Sequence, residues 1–216
     1  MEEYRVGIVI PAFNEELTIA QVVNSVKQYG YAIVVNDAST DRTEKIAEDA
    51  GAIVLNHIDN KGYDGALNSG FKRAEELDCD GIITFDADGQ HSVNMLPKYI
   101  SHLEKDIDLV LGIRPTTQRF SESIFKIYTK FFINWNDPLC GMKGYSMKLY
   151  KNKGGFDSYN SIGTELAAYG IVNGYKYVEI NIPTIARYDS PRFGSRIRAN
   201  IVILKALINL ILIQKL

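Results

Sequence analysis

The sequence predicts an α/β domain built on a doubly wound, mostly parallel sheet with helices on both faces, and three observations carry that expectation. Through the first 112 residues, apolar runs of strand length alternate with amphipathic segments of helix length. The runs are apolar at consecutive positions, as strands are when both faces are covered. The first, second and fourth runs each lead into an acidic residue, at the edge where open parallel sheets bind ligands. At 216 residues, 46% hydrophobic and 23% charged, the chain is the size of one large domain. That composition excludes disorder, a collagen-like repeat and a disulfide-stapled mini-protein.

In chain order, Arg5–Pro11 reads as a buried strand, Glu16–Tyr29 as a helix, Ala32–Asn36 as a second strand and Arg42–Ala50 as a second helix. Ala52–Asn56 leads into a helix near Asp64–Glu76, and Gly81–Phe85 leads through Asp86–His91 to a helix near Val93–Leu103. Asp108–Gly112 supplies a fifth strand. The second half is less regular: helices over Phe120–Ile133 and Ser161–Val172, and a strand over Tyr175–Ile182 stopped by Pro183, which has no amide hydrogen to donate. Arg187–Arg198 is expected as a loop entering a final apolar helix over Arg196–Leu216. The working division is a domain over 1–196, with a nucleotide-binding half to about 114 and an acceptor half from about 115, followed by the apolar helix over 197–216.

Twenty-four basic against 26 acidic residues give a net charge of −2, so no global positive field attracts nucleic acid or an anionic membrane. Cys79 and Cys140 lie far apart without a CxxC pattern, and the N-terminus lacks the pattern of a signal peptide. Reduced thiols and a cytoplasmic location are expected.

Asp86 and Asp88, two apart at the end of an extended run, project to the same side. With Gln90 they form a hard-oxygen set suited to Mg²⁺ or Mn²⁺, while the absence of a thiolate or His pair argues against zinc. The bland alternative is a helix cap and a turn residue. Asp37 could accept a hydrogen bond from a nucleobase or ribose, or cap a helix, although Ser39, Thr40 and Asp41 are capping candidates for the next one. Glu15 suits a helix N-terminus and ligand binding alike. The segment Asn60–Ala66 matches neither GxGxxG nor a P-loop, and Gly62 and Gly65 read best as a turn and a close-packing surface. His57, His91 and His102 lack metal-ligand spacing; only His91, beside the acidic motif, could support a ligand.

Taken in order, IPAFNE, VVNDASTD, NKGYDGALNSG and FDADGQH resemble the family 2 glycosyltransferases of GT-A fold, most closely the polyprenyl-phosphate or dolichol-phosphate mannose synthase branch, over about residues 5–200. The resemblance implies that Pro11, Phe13 and Glu15 line the nucleotide and that Val35 and Asp37 hold base and ribose. It further implies that Asp86, Ala87 and Asp88 meet the diphosphate and its metal, with Gln90 a further metal ligand. Arg114 falls where the branch places a phosphate-binding arginine, Asp137–Gly141 resembles an acceptor segment, and Glu165 sits at an acidic position of the branch. Arg192–Arg196 looks like a basic GxSK element with arginine for lysine and a shortened spacing, leaving open whether Arg192 or Arg196 replaces it. Asn36 stands where the family often has an acid.

The implied reaction is inverting transfer of a sugar from a UDP- or GDP-sugar to a lipid phosphate, aided by Mg²⁺ or Mn²⁺, with Asp88, Arg114 and Glu165 carrying the chemistry. A sugar hydroxyl as acceptor is the alternative, with Glu165 or Asp137 as base. A nucleotidyltransferase lacks its Gly-rich signature here, and an inactive sugar-nucleotide-binding subunit fits poorly with the intact acidic set. The apolar stretch Ile201–Ile213 holds 13 residues, short of the ~20 a spanning helix needs. It is expected to lie on a membrane surface with Arg192, Arg196 and Arg198 beside it, giving a peripheral location. The alternative is docking on its own core, a second subunit or a membrane-protein partner.

Overall fold

The computed structural model describes residues 4–89, 91–116, 119–183 and 196–213. At its centre, β1 (Val6–Ala12) is buried at every position but one, as its unbroken aliphatic sequence requires. It pairs in parallel with β2 (Tyr31–Asn36) on one side and β4 (Gly81–Thr84) on the other, and β2 pairs in parallel with β3 (Ile53–Asn56). The register sets Ala12 opposite Asn36 and Val9 opposite Thr84. Pairing runs just past the strand ends, through Asp37 N to Ala12 O (2.8 Å) and Phe85 N to Val9 O (2.9 Å). The segments following these three strands therefore emerge on one rim.

Alternate side chains of the strands feed two cores. Ile8, Ile10 and Val34 face α1 (Ile19–Val26), α2 (Thr43–Asp49) and α4 (Leu96–Leu103). Val9, Ile33 and Val35 face α3 (Gly62–Glu76), beyond which lie α5 (Phe120–Ile133), α6 (Met147–Lys153), α7 (Glu165–Val172) and α8 (Arg196–Ile213). Gly70 lets α3 press against the sheet: a methyl there would overlap Val9 Cγ1. Gly62 takes φ +74°, as the turn reading expected, whereas the close approach to the sheet falls at Gly70 and not at Gly62 or Gly65.

The full sheet has seven strands in the order β3-β2-β1-β4-β6-β5-β7, where β5 is Leu109–Ile113, β6 Lys143–Ser146 and β7 Tyr177–Asn181. β6 is antiparallel to both β4 and β5, while β5 and β7 are parallel. Neither β6 nor α6 was expected from the sequence. Lys-Gly-Tyr-Ser has neither an apolar run nor alternation, and its strand state comes from insertion between two strands already in place.

Other differences are local. α1 begins at Ile19 and not Glu16, because Glu15 O accepts the amides of Thr18 and Ile19 in a tight turn (3.1 and 3.0 Å). The helix expected over Val93–Leu103 is a 3-10 turn, Val93–Met95, followed by α4. α7 begins at Glu165 because Ser161 Oγ accepts the amides of Thr164 and Glu165, both at 3.0 Å. Most of the expected Arg187–Arg198 loop lies outside the described residues, and 196–198 belong to α8.

α8 is built into the domain and is not a separate appendage. Ala199, Ile203, Ala206, Leu207 and Leu210 are buried, and the helix packs on α5. Its other face exposes Ile201, Val202, Leu204, Ile208 and Leu212. Among the described residues, no helix is long and apolar enough to cross a membrane.

Candidate active site

The shared rim opens into a cleft of about 510 Å³, within the size range of small-molecule sites. Pro11, Phe13 and Glu15 from the end of β1, Asp37 from β2, and Asp86, Ala87 and Asp88 from β4 line it. Seven of the residues singled out in the sequence thus meet on one wall. Asn60, Gly62, Tyr63, Cys140, Gly141, Lys143 and Ile162 complete much of the rest. Val35 lies in the core, against Gly70 of α3, and is not part of the wall.

Asp37 is buried and heavily engaged. Its Oδ1 contacts His57 Nδ1 at 2.6 Å and accepts from Lys61 N at 2.8 Å, while Oδ2 accepts from Gly62 N at 2.8 Å. The acid therefore does cap a helix, though it is α3 and not the helix that follows it in sequence. Of the Ser39–Asp41 candidates, Asp41 serves α2: its Oδ1 accepts from Thr43 N at 2.9 Å. His57, whose other ring nitrogen lies 2.8 Å from Ser69 Oγ, fixes the rotamer of Asp37. Sequence reasoning passed over His57 because its partners are 20 and 12 residues away.

Asp86 is positioned from two sides. Its backbone amide donates to His91 Nδ1 at 3.2 Å, which leaves the proton on Nε2, 3.3 Å from Asp86 Oδ2. Opposite, Gly141 leaves room for the carboxylate: a methyl there would collide with all three terminal atoms of Asp86. Thr84 Oγ1 donates to Gly141 O at 2.6 Å and holds that backbone in place. Asp86 and Asp88 offer a divalent cation hard carboxylate oxygens on an accessible wall, a partial set that water and ligand phosphate would complete. Gln90, the third expected ligand, lies outside the described residues. Among the described residues, no three His, Cys, Asp or Glu side chains form a metal-holding group.

Of the expected acceptor segment, Leu139, Cys140 and Gly141 line the cleft, while Arg114 and Glu165 are not among its lining residues. Arg114, at the end of β5, makes a bidentate pair with Asp137 (Nε to Oδ2 2.9 Å, Nη2 to Oδ1 2.8 Å) and reaches Glu122 at 3.3 Å. Burial works against its charge, but the hydrogen bonds and charge of Asp137 hold it above its usual range. Glu165 pairs with Lys153 Nζ at 2.7 Å and accepts from Ser158 Oγ at 2.8 Å. Arg192 lies outside the described residues, and of Arg196 only the backbone, at the start of α8, is described.

Two groups escaped the sequence, one behind the lining of the cleft and one on it. Asp64 in the first turn of α3 accepts from Ile162 N at 2.9 Å and also from Gly163 N, fixing the loop before α7 against the cleft. Burial, with the charge of Asp157 adding, pushes its carboxyl up to about 6. Ile162 holds φ at +57°, a conformation β-branched residues rarely adopt. Lys143, a lysine within the otherwise uncharged Met142–Ser146, is the other, and with no strand signal around it nothing in the sequence marked it.

The model for glycosyl transferase family 2 matches residues 7–163. The chain belongs to this family. Among similar proteins, an uncharacterised protein of Methanocaldococcus jannaschii is 32% identical, over 93% of this chain and 90% of that one. The UDP-N-acetylglucosamine–dolichyl-phosphate N-acetylglucosaminyltransferase of Methanococcus voltae is 35% identical over 53% of each chain. The undecaprenyl-phosphate mannosyltransferase of Micrococcus luteus is 29% identical over 65% of this chain and 66% of that one. These relatives support the polyprenyl-phosphate branch of the family. In fold, this family 2 glycosyltransferase is similar to glucosyl-3-phosphoglycerate synthase of Mycobacterium tuberculosis, at 20% identity. The structure with phosphoglyceric acid superposes with a TM-score of 0.75 over 94% of this chain and 80% of that one. The structure with Mn²⁺, UDP-glucose and phosphoglyceric acid superposes at 0.70 over the same shares.

Proposed function

We propose that this glycosyltransferase moves a sugar from a UDP- or GDP-sugar to a polyprenyl or dolichyl phosphate with inversion at the anomeric carbon. The observation that carries the reading is the convergence of Glu15, Asp37, Asp86 and Asp88 from three strand ends on one cleft. Lipid phosphates named as substrates of the similar dolichyl- and undecaprenyl-phosphate transferases support the acceptor. UDP-glucose and Mn²⁺ in the structural neighbour support the donor and the cation.

In this reading Asp37, held by His57 and the Lys61 and Gly62 amides, meets the nucleoside, with Pro11, Phe13 and Glu15 beside it. Asp86 and Asp88, with Gln90, would hold Mg²⁺ or Mn²⁺, which neutralises the charge developing on the departing nucleoside diphosphate. A lipid phosphate is already an anion, so one of its oxygens bonds to the anomeric carbon as the bond to the diphosphate breaks, and no proton need be removed. Arg114 then acts at the acceptor end, braced by Asp137 and Glu122, with Arg192 or Arg196 as the phosphate contact. Glu165, held by Lys153 and Ser158, shapes the acceptor side through the loop before α7. The exposed apolar face of α8, with Phe120, Ile127, Phe131 and Phe132 exposed on α5, suits a membrane surface and a peripheral location.

Thermal stabilisation by a panel of UDP- and GDP-sugars with Mn²⁺, followed by radiolabel transfer into polyprenyl phosphate, tests the reading. A ligand at ~100 times its dissociation constant adds ~2.7 kcal/mol. No response to any nucleotide sugar would overturn it.

A further inference from the structure

We propose that Lys143 is a phosphate-binding residue of the cleft, its ammonium pairing with a phosphate oxygen brought by a ligand. The proposal rests on the glycosyltransferase reading and adds to it a residue that neither motif nor spacing marks.

Lys143 is 3% exposed and lines the cleft. It opens β6, paired opposite Thr84 of β4 and Leu111 of β5, so its backbone is fixed on both sides. Its amide donates to Thr84 Oγ1 at 3.1 Å, two residues before Asp86. Within the described residues its Nζ makes neither a hydrogen bond nor an ion pair. It lies over the face of Trp135, 5.7 Å from the ring centroid. The charges of Asp137 and Asp86 are felt at Lys143, yet Asp137 is committed to Arg114 and Asp86 faces His91 and Gly141. Burial pushes the ammonium below its usual range, the physical sign of a charge without a local partner.

Desolvating an ammonium without a partner is costly, and a ring face offsets only part of that. Trp135 Nε1, on the side chain whose ring Lys143 faces, is itself buried without a partner. The missing partner is thus an acceptor with negative charge. Of the described residues on the wall, Lys143 is the only basic one, among Glu15, Asp37, Asp86 and Asp88. A phosphate entering this acidic cleft needs a fixed positive charge besides any bound cation, and an ammonium serves phosphate as a point charge. The donor diphosphate and the acceptor phosphate share this chemistry.

The test compares the wild-type chain with K143M and K143R by calorimetric titration in the presence of Mn²⁺. One arm uses UDP and GDP, with uridine and guanosine as controls; the other uses farnesyl phosphate. K143M should melt no lower than wild type without ligand, because methionine fills the same space without a buried charge. It should lose roughly ten- to a hundred-fold in affinity in one arm, with nucleoside binding unchanged, and K143R should recover part of the loss. A loss with UDP or GDP assigns the contact to the leaving diphosphate, and a loss confined to farnesyl phosphate assigns it to the acceptor. Wild-type affinities for K143M in both arms overturn the proposal while leaving the glycosyltransferase reading intact. Failure of the wild-type chain to bind either nucleoside diphosphate overturns that reading and this proposal with it.

Discussion

Replacing Gly141 by alanine isolates the position of the Asp86 carboxylate from its chemistry. The added methyl would collide with Cγ and both oxygens of Asp86. The backbone of Gly141 cannot retreat cheaply, because Thr84 Oγ1 holds its carbonyl at 2.6 Å and β6, which starts two residues later, is paired on both sides. Asp86 must therefore swing away, toward the solvent that its 30% exposed side chain already meets, and lose its contact with His91. That rotation costs little stability, on the order of 1 kcal/mol or less, because no core side chain is removed. A displacement of about 1 Å in a group that positions reacting atoms costs on the order of a hundred-fold in rate. Radiolabel transfer from a nucleotide sugar measures the rate, and a thermal melt checks the fold. G141A should melt close to wild type and transfer about a hundred-fold more slowly, with part of the loss recovered at high Mn²⁺. Wild-type turnover at low Mn²⁺ would refute the assignment of Asp86 to the reacting end of the cleft.

Three further outcomes follow from particular contacts. Asp64 holds a carboxyl pushed from 3.8 to about 6 in the folded chain, so the folded state keeps the proton longer; stability present below about pH 4 is lost as pH rises to 6. The urea stability of wild type relative to D64N should fall by roughly 3 kcal/mol between pH 4 and 7, and a flat difference would count against a buried, desolvated Asp64. E165Q removes the charge that Lys153 pairs with at 2.7 Å, both side chains being 11% exposed, and should lower stability by about 1–3 kcal/mol while leaving turnover with a phosphate acceptor nearly unchanged; a hundred-fold rate loss at an unchanged melting temperature would instead make Glu165 a general base. Converting exposed Ile201, Leu204, Ile208 and Leu212 to serine should abolish sedimentation with phosphatidylglycerol vesicles and spare nucleotide binding, whereas unchanged sedimentation would remove α8 from the membrane reading.

The half of the fold that the sequence discloses is the half built of parallel strands joined through helices. β1 to β4, with their crossover helices, follow from aliphatic runs and amphipathic periods, because each parallel strand must be covered on both faces. β6 breaks that logic. Its order in the sheet, between β4 and β5, depends on a return of the chain from beyond α5, and its residues Lys143–Ser146 carry no strand signal of their own. The site divides along the same line: Glu15, Asp37, Asp86 and Asp88 were legible because they sit at strand ends, whereas Lys143 arrives on the unforeseen antiparallel strand. His57 and Asp64 were illegible for a related reason, since each acts through a partner brought near only by the fold.

α8 shows how a correct apolar reading can still leave a role open until burial is known. Its aliphatic content answers to the core on one face and, in the proposed reading, to a membrane surface on the other. Ala199, Ile203, Ala206, Leu207 and Leu210 are buried against the domain, while Ile201, Leu204, Ile208 and Leu212 form an exposed row of similar spacing. A helix serving only the core would carry polar residues on that outer row, and a helix serving only a bilayer would not bury five residues in the fold. Cutting the chain at residue 201 would therefore remove four core side chains, Ile203, Ala206, Leu207 and Leu210, of which the three larger ones are each worth on the order of 2–5 kcal/mol if truncated singly. Against a total stability of about 5–15 kcal/mol, truncation unfolds the domain and reports nothing about membranes. Only substitutions on the outer row separate the two demands. The same row, continued by Ile127, Phe131 and Phe132 of the adjoining α5, makes an apolar surface of two packed helices and not one.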